Sequence, residues 1–220
     1  MSEAIRVALV DDQDLFLEGV RVIINAQAGM EVVGSARDGE QAVTMVDSLS
    51  PDIVLMDIRM PELDGVEATR RIFLPARVQL RTQPVRVLVL TTFDLDDRAA
   101  MAIRYGASGF ILKDTTPALL IDAIRTVHAG NAVLAPQDLA TLLDGQFQSR
   151  TPTPAAFDTL TEKEREVFAV VARGASNGEA ARALFASEST IKTHVGSILR
   201  KLALRDRVQI VVFAYEHGLV

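Results

Sequence analysis

With 220 residues and a hydrophobic fraction of 49%, the chain is long and apolar enough for one large or two ordinary packed domains, and it is expected to be globular and soluble. The absence of cysteine excludes disulfides and any Cys-based metal or nucleophile site, and a net charge of -6 argues against a wholesale polyanion binder. No run reaches membrane-spanning length, and the short N-terminal apolar stretch is broken by Arg6 and Asp11-Asp12 without a basic leader, so a cytoplasmic protein without membrane contact is expected.

The charge is uneven. Residues 1–150 carry 14 Lys/Arg against 21 Asp/Glu, or -7, whereas residues 151–220 carry 9 against 8, or +1. Between positions 190 and 210, Lys192, Arg200, Lys201, Arg205 and Arg207 face only Asp206. A local patch of this kind, not global charge, steers a phosphate backbone.

Short runs rich in Val, Ile and Leu near 5–10, 31–35, 53–57, 85–91 and 109–112 read as strands, with helical spacing between them. Five such βα repeats imply a parallel sheet covered on both faces, in which ligands sit at the carboxyl ends of the strands. Asp11, Asp12, Asp57, Thr91 and Lys113 all fall at those ends.

A carboxylate ending a buried strand is costly unless it does chemistry or binds a cation. Three on one sheet edge repel each other and call for a hard divalent ion, most simply Mg²⁺. Asp57, alone on its strand end, suits a nucleophile, and the Asp11-Asp12 pair suits metal binding. Attack by an aspartyl carboxylate on phosphorus gives an acyl phosphate. Lys113 supplies a point cation and Thr91 a neutral donor. Asp64 and Gly65 read as a turn and helix start without a catalytic role. Phe93, two residues past Thr91, is placed to shield the anhydride from water.

Asp11-Asp12, Met56-Asp57-Ile58-Arg59-Met60-Pro61, Asp64-Gly65, Thr91 and Gly106-Ala107-Ser108-Gly109-Phe110-Ile111-Leu112-Lys113 together resemble the receiver domain of bacterial two-component response regulators, over residues 4 to about 128. The resemblance implies a flavodoxin-like (βα)5 fold and phosphorylation of Asp57 by a partner histidine kinase. It implies Mg²⁺ held by Asp12, Asp57 and the Arg59 carbonyl, with Asp11 nearby. It also implies that Thr91 and Lys113 contact the phosphoryl group, and that Thr91 moves toward it while Phe110 swings inward. Two departures stand out. Many receivers place a cis-bonded proline after the lysine; Asp114 follows here, where a cis bond would cost about 3 kcal/mol. Residues 73–84 are longer than the family norm, with Pro75 breaking a helix; this reads as a tolerated surface insertion at the sheet end remote from Asp57.

The domains are expected at 1–130 and 158–220, joined by a linker over 131–157 that contains a short helix, Gln137 to Leu143, and an extended stretch over 146–154. Beyond it the pattern is helical. Thr161-Glu162-Lys163-Glu164 and Ser176-Asn177-Gly178-Glu179 fit capping boxes, Gly174 is a stop between them, and Ser187 and Asp206 begin two further helices. In the helix from Ser187, Ile191, Val195, Ile198 and Leu202 share one face with Leu199 beside it, while Ser189, Lys192, Thr193, Gly196 and Arg200 cluster opposite. His194 falls beside the apolar face. An exposed face of small polar residues, two cations and a glycine suits close approach to a DNA groove.

Leu160 to Val167, Arg173-Gly174-Ala175-Ser176-Asn177, Ser189 to Val195 and Leu199-Arg200-Lys201-Leu202 resemble the LuxR-type helix-turn-helix from about 158 to 220, so the whole chain resembles a NarL/FixJ-type response regulator. The match implies a small all-α four-helix domain, with the helix-turn-helix over Ser176 to Val195. It places Lys192, Thr193 and Gly196 toward the bases of double-stranded DNA, with Ser189, Thr190, Arg200 and Lys201 as further contacts. Gly196 replaces a lysine of some relatives, and Ala180 a larger aliphatic residue, which implies looser packing. The last helix, apolar on more than one face, suits packing on the domain and a homodimer when phosphorylated.

The leading reading is a phosphorylation-controlled transcription regulator, a switch and not an enzyme. An Mg²⁺ phosphatase of the haloacid dehalogenase type would need an acid two residues after the nucleophile, where Arg59 stands. A module whose tail binds protein in place of DNA is the third reading.

Overall fold

The computed structural model describes residues 4–81, 83–92, 97–133, 142–143 and 151–220. The chain divides into two compact units, Met1–Ala129 and Gly130–Val220.

In the first unit, β1 (Ile5–Val10), β2 (Met30–Ala36), β3 (Ile53–Asp57), β4 (Arg86–Thr91) and β5 (Gly109–Leu112) form one parallel sheet in the order β2-β1-β3-β4-β5. Every residue of β3 is buried, as expected of a central strand covered on both faces. The register pairs Val10 with Met56 and Asp57 with Leu90, so β1, β3 and β4 end side by side.

The crossover helices begin where polar side chains satisfy free amides. Asp38 caps α2 (Gly39–Leu49), Asp64 caps α3 (Gly65–Ile72), and Thr116 caps α6 (Pro117–His128), whose proline occupies the first turn. Helix α1 spans Asp14–Asn25 and α5 spans Asp97–Arg104. Among the described residues no peptide bond is cis, Lys113–Asp114 included.

The 73–84 segment departs from a plain loop. α3 ends at Ile72, and Pro75 opens a short helix, α4 (Pro75–Val78), in the first-turn position that proline tolerates. Arg81 donates to the Ile72 carbonyl at 2.7 Å and to Asp47 Oδ1 at 2.8 Å, and Arg77 also pairs with Asp47. The insertion is therefore fastened to α2, because two long cations reach one carboxylate.

In the second unit, α7 (Glu162–Ala172) and α8 (Asn177–Ala183) both start with complete capping boxes, at Thr161/Glu164 and Ser176/Glu179. Gly174 turns the chain between them at φ 91°. α9 (Glu188–Lys201) and α10 (Arg207–Glu216) are capped by Ser187 and Asp206. Their core is Leu160, Val167, Phe168, Ala180, Ile191, Ile198, Ile210 and Phe213 among others. Ala180 is fully buried within it.

Packing begins upstream of residue 158. Phe157, in a 3-10 turn over Ala155–Thr159, meets Phe168 edge-on at 5.1 Å, and the Thr151 N–H donates to the Glu216 carbonyl at 3.0 Å. An apolar ring at the end of a polar linker belongs to the core it can reach. The helix expected at Gln137–Leu143 and the linker over 146–150 lie outside the described residues, apart from a helical Leu142-Leu143.

Candidate functional site

Four strand ends build the acidic pocket. Asp11 follows β1, Asp57 closes β3, Thr91 closes β4, and Lys113 follows β5, with its N–H donating to the Thr91 carbonyl at 2.8 Å. Asp11, Asp57 and Thr91 are 0%, 4% and 5% exposed, whereas Asp12 is exposed. Lys113 Nζ lies 2.6 Å from Asp11 Oδ2 and 3.0 Å from Asp57 Oδ2. It also sits 5.0 Å from the centre of the Phe16 ring, within cation–π range. Arg59 is exposed, with its backbone N–H on the Asp57 carboxylate, and Phe110 is half-buried on β5.

Burial raises the Asp57 carboxyl above its ordinary value; Lys113 opposes this, the Asp11 charge adds to it, and the Arg59 N–H opposes it. Burial pulls the Lys113 ammonium down, but hydrogen bonds and charge from Asp11 and Asp57 outweigh it, and its pKa is raised. Lys113 therefore remains a cation between two carboxylates.

The residues fit a divalent ion. Asp11, Asp12 and Asp57 each offer an oxygen, and these lie within 4.8 Å of one another. Asp11 Oδ2 is buried and lies 2.6 Å from the Lys113 ammonium as an ion pair. Oxygen-only donors suit a hard divalent cation in preference to a softer metal.

Two contributors are not evident from residue pattern. Phe16 belongs to the apolar spacing of α1, and nothing in that spacing marks its ring as a seat for Lys113. At Gly65 an added Cβ would meet the Asp57 carbonyl oxygen at 1.9 Å, so the start of α3 lies directly against the end of β3. The Asp64-Gly65 pair signals the turn but not this approach. Phe93 lies outside the described residues.

The second site is α9. Ile191, Val195, Ile198 and Leu202 are buried, and Leu199 packs on the same core. Ser189, Thr190, Lys192, Thr193, Gly196 and Arg200 are exposed, while His194 is half-buried. The Ser187 hydroxyl lies 2.8 Å from those of Ser189 and Thr190, and the Thr193 hydroxyl donates to the Ser189 carbonyl at 3.0 Å. Space around Gly196 is open, with nothing within 4 Å of an added Cβ.

Lys201, half-buried, carries a partner within the unit. Its ammonium donates to Glu164 Oε2 at 2.6 Å and to the Thr159 carbonyl at 3.0 Å. It joins α9 to α7 within the unit through the capping-box carboxylate of α7.

A parallel sheet with an acidic pocket at its carboxyl edge, followed by a helix-turn-helix unit, defines a class that the comparisons identify. The response regulator receiver domain model matches residues 7–125, and the model of luxR-family bacterial regulatory proteins matches residues 158–214. The chain belongs to the response regulators that join a receiver domain to a LuxR-type DNA-binding domain, and it is a DNA-binding transcriptional regulator of a two-component system. It is 41% identical to the uncharacterized transcriptional regulatory protein YxjL of Bacillus subtilis (strain 168), covering 99% of this chain and 98% of that one. It is 35% identical to the response regulator protein VraR of Staphylococcus epidermidis, with 99% of each chain covered. Among solved structures, the response regulator ChrA of a heme-sensing two-component system is 31% identical, with 99% of both chains covered and a TM-score of 0.50. The receiver domain of NarL from Mycobacterium tuberculosis is 32% identical over 59% of this chain and 99% of that one, with a TM-score of 0.53. Among the described residues no helix is long and apolar enough to cross a membrane.

Proposed function

We propose that Asp57 accepts a phosphoryl group from the phosphohistidine of a partner histidine kinase and that the resulting acyl phosphate controls DNA binding by α9. The observation carrying this reading is the buried Asp57 carboxylate at a strand end, 3.0 Å from the Lys113 ammonium and beside two further carboxylates. An Asp57 oxygen attacks phosphorus as the phosphorus–nitrogen bond of the donor breaks, and Asp57 must be ionised to do so. Lys113 favours that ionised form against the cost of burial and remains beside the oxygens that arrive. Thr91, at the next strand end, supplies a hydroxyl donor. Asp11, Asp12, Asp57 and the Arg59 carbonyl would hold Mg²⁺, which when bound neutralises negative charge on the phosphoryl oxygens.

The phosphorylated state shifts a conformational equilibrium in which Thr91 and Phe110 change position. Such a switch needs only a few kcal/mol of differential stability. The protein is a stoichiometric switch and not an enzyme, works in the cytoplasm, and binds a two-fold duplex site as a homodimer when phosphorylated. Ser189, Thr190, Lys192, Thr193, Gly196 and Arg200 form the surface toward DNA.

Incubation with a small acyl phosphate donor tests the acceptor: wild type takes up label, and Asp57→Ala does not. Label persisting in Asp57→Ala would rule out Asp57 as the sole acceptor. Lys192→Ala tests the reader, since unchanged duplex binding by that variant removes the assignment.

A further inference from the structure

The turn between α8 and α9 holds an aromatic side chain that neither backbone nor core requires. α8 ends with Leu184 as C-cap, and the Ala186 N–H donates to the Ala181 carbonyl at 2.9 Å, the long bond of a Schellman ending. That ending sets residue 185 in the left-handed region, and Phe185 has φ 50°. Glycine or asparagine takes this conformation readily, whereas a bulky residue is disfavoured. Burial returns nothing, because Phe185 is 98% exposed, the highest value among the large exposed hydrophobics described.

The surroundings of the ring point to its use. Two residues later Ser187 caps α9, and the exposed Ser189, Thr190, Lys192 and Thr193 follow directly. Hydroxyls and ammonium groups there suit phosphate oxygens, while between phosphates a duplex presents the apolar faces of its sugars. We infer that Phe185 is a DNA contact: its ring packs on deoxyribose at the border of the groove that α9 enters. A strained, fully exposed aromatic continuous with the reader helix is accounted for by a surface that arrives only on binding. The inference rests on α9 being the reader.

The test uses the phosphorylated full chain and a duplex selected from a random-sequence pool by the wild type. Phe185→Gly and Phe185→Asn both keep the left-handed backbone and remove the ring, and Lys192→Ala is measured beside them. Both Phe185 variants are expected to bind about tenfold more weakly at every salt concentration, with an unchanged slope of log affinity against log salt, because no charge is lost. Phe185→Gly is expected to melt at a higher temperature than wild type. Wild-type affinity in the Phe185 variants, an altered salt slope, or a lower melting temperature for Phe185→Gly would each overturn the inference. If Lys192→Ala also binds as wild type, the reader assignment itself has failed.

Discussion

Lys201 Nζ lies 2.6 Å from Glu164 Oε2 and so joins the last turn of α9 to the first turn of α7. Glu164 is 6% exposed and its carboxylate also accepts the Thr161 N–H at 2.7 Å, so one oxygen serves two donors. Lys201→Ala leaves that buried carboxylate with only its capping bond. A loss of about 1.5–3 kcal/mol of stability is expected, with no change in the salt slope of DNA binding. Denaturant unfolding and duplex titration check the two halves.

The same pair gives a pH dependence. The Lys201 hydrogen bond first, then the Thr161 N–H, hold the Glu164 carboxyl below its ordinary value. A depressed folded pKa means that the stabilisation is complete above the ordinary glutamate value and is lost as pH falls through the lower one. Amide protection factors along 162–172, taken relative to the intrinsic exchange rate at each pH, are expected to fall as the solution is acidified below about pH 4. Lys201→Ala is expected to flatten that response.

Gly65→Ala should damage the acceptor site without touching a charged group. Its Cβ would need the space of the Asp57 carbonyl oxygen, 1.9 Å away, and backbone yields poorly. A loss of about 1–3 kcal/mol, with slower labelling of Asp57 by an acyl phosphate, is expected. Unfolding curves and label uptake report it.

Asp12→Ala separates repulsion from metal binding. With chelator present the variant is expected to melt above wild type, because one of three crowded carboxylates is gone. Added Mg²⁺ should raise the wild-type melting temperature and leave that of Asp12→Ala nearly unchanged. Chelation should likewise halt labelling of wild-type Asp57.

Gly196→Lys has open space for its side chain. Replacing an exposed helical glycine should stabilise the domain by about 0.5–1 kcal/mol. The added cation should steepen the salt slope of DNA binding by about one. An unchanged slope would place Gly196 away from the duplex.

The pocket was legible because chemistry and topology coincide. Carboxylates at the ends of apolar strands have no bland use in number, and parallel βα repeats put all their ends on one edge. The two faces of α9 were legible because 3.6-residue periodicity separates Ile191, Val195 and Ile198 from Lys192, Thr193 and Gly196. The Lys201–Glu164 pair was not legible in the same way. Periodicity places a side chain on a helix but says nothing of what another helix brings to it, and Glu164 read as a capping residue alone.

What the sequence determined by itself was local or repetitive: the order of strands and helices, the helix starts at Asp64, Thr161, Ser176, Ser187 and Asp206, and the convergence of Asp11, Asp57, Thr91 and Lys113. Each follows from hydrophobic period, hydrogen-bonding chemistry or chain connectivity. Tertiary structure alone decided the partners across elements: Phe16 beneath Lys113, Gly65 against the Asp57 carbonyl, Glu164 on Lys201, and Phe157 in the helical core. These depend on distances between segments 8 to 97 residues apart, set by close packing rather than by any signal within either segment.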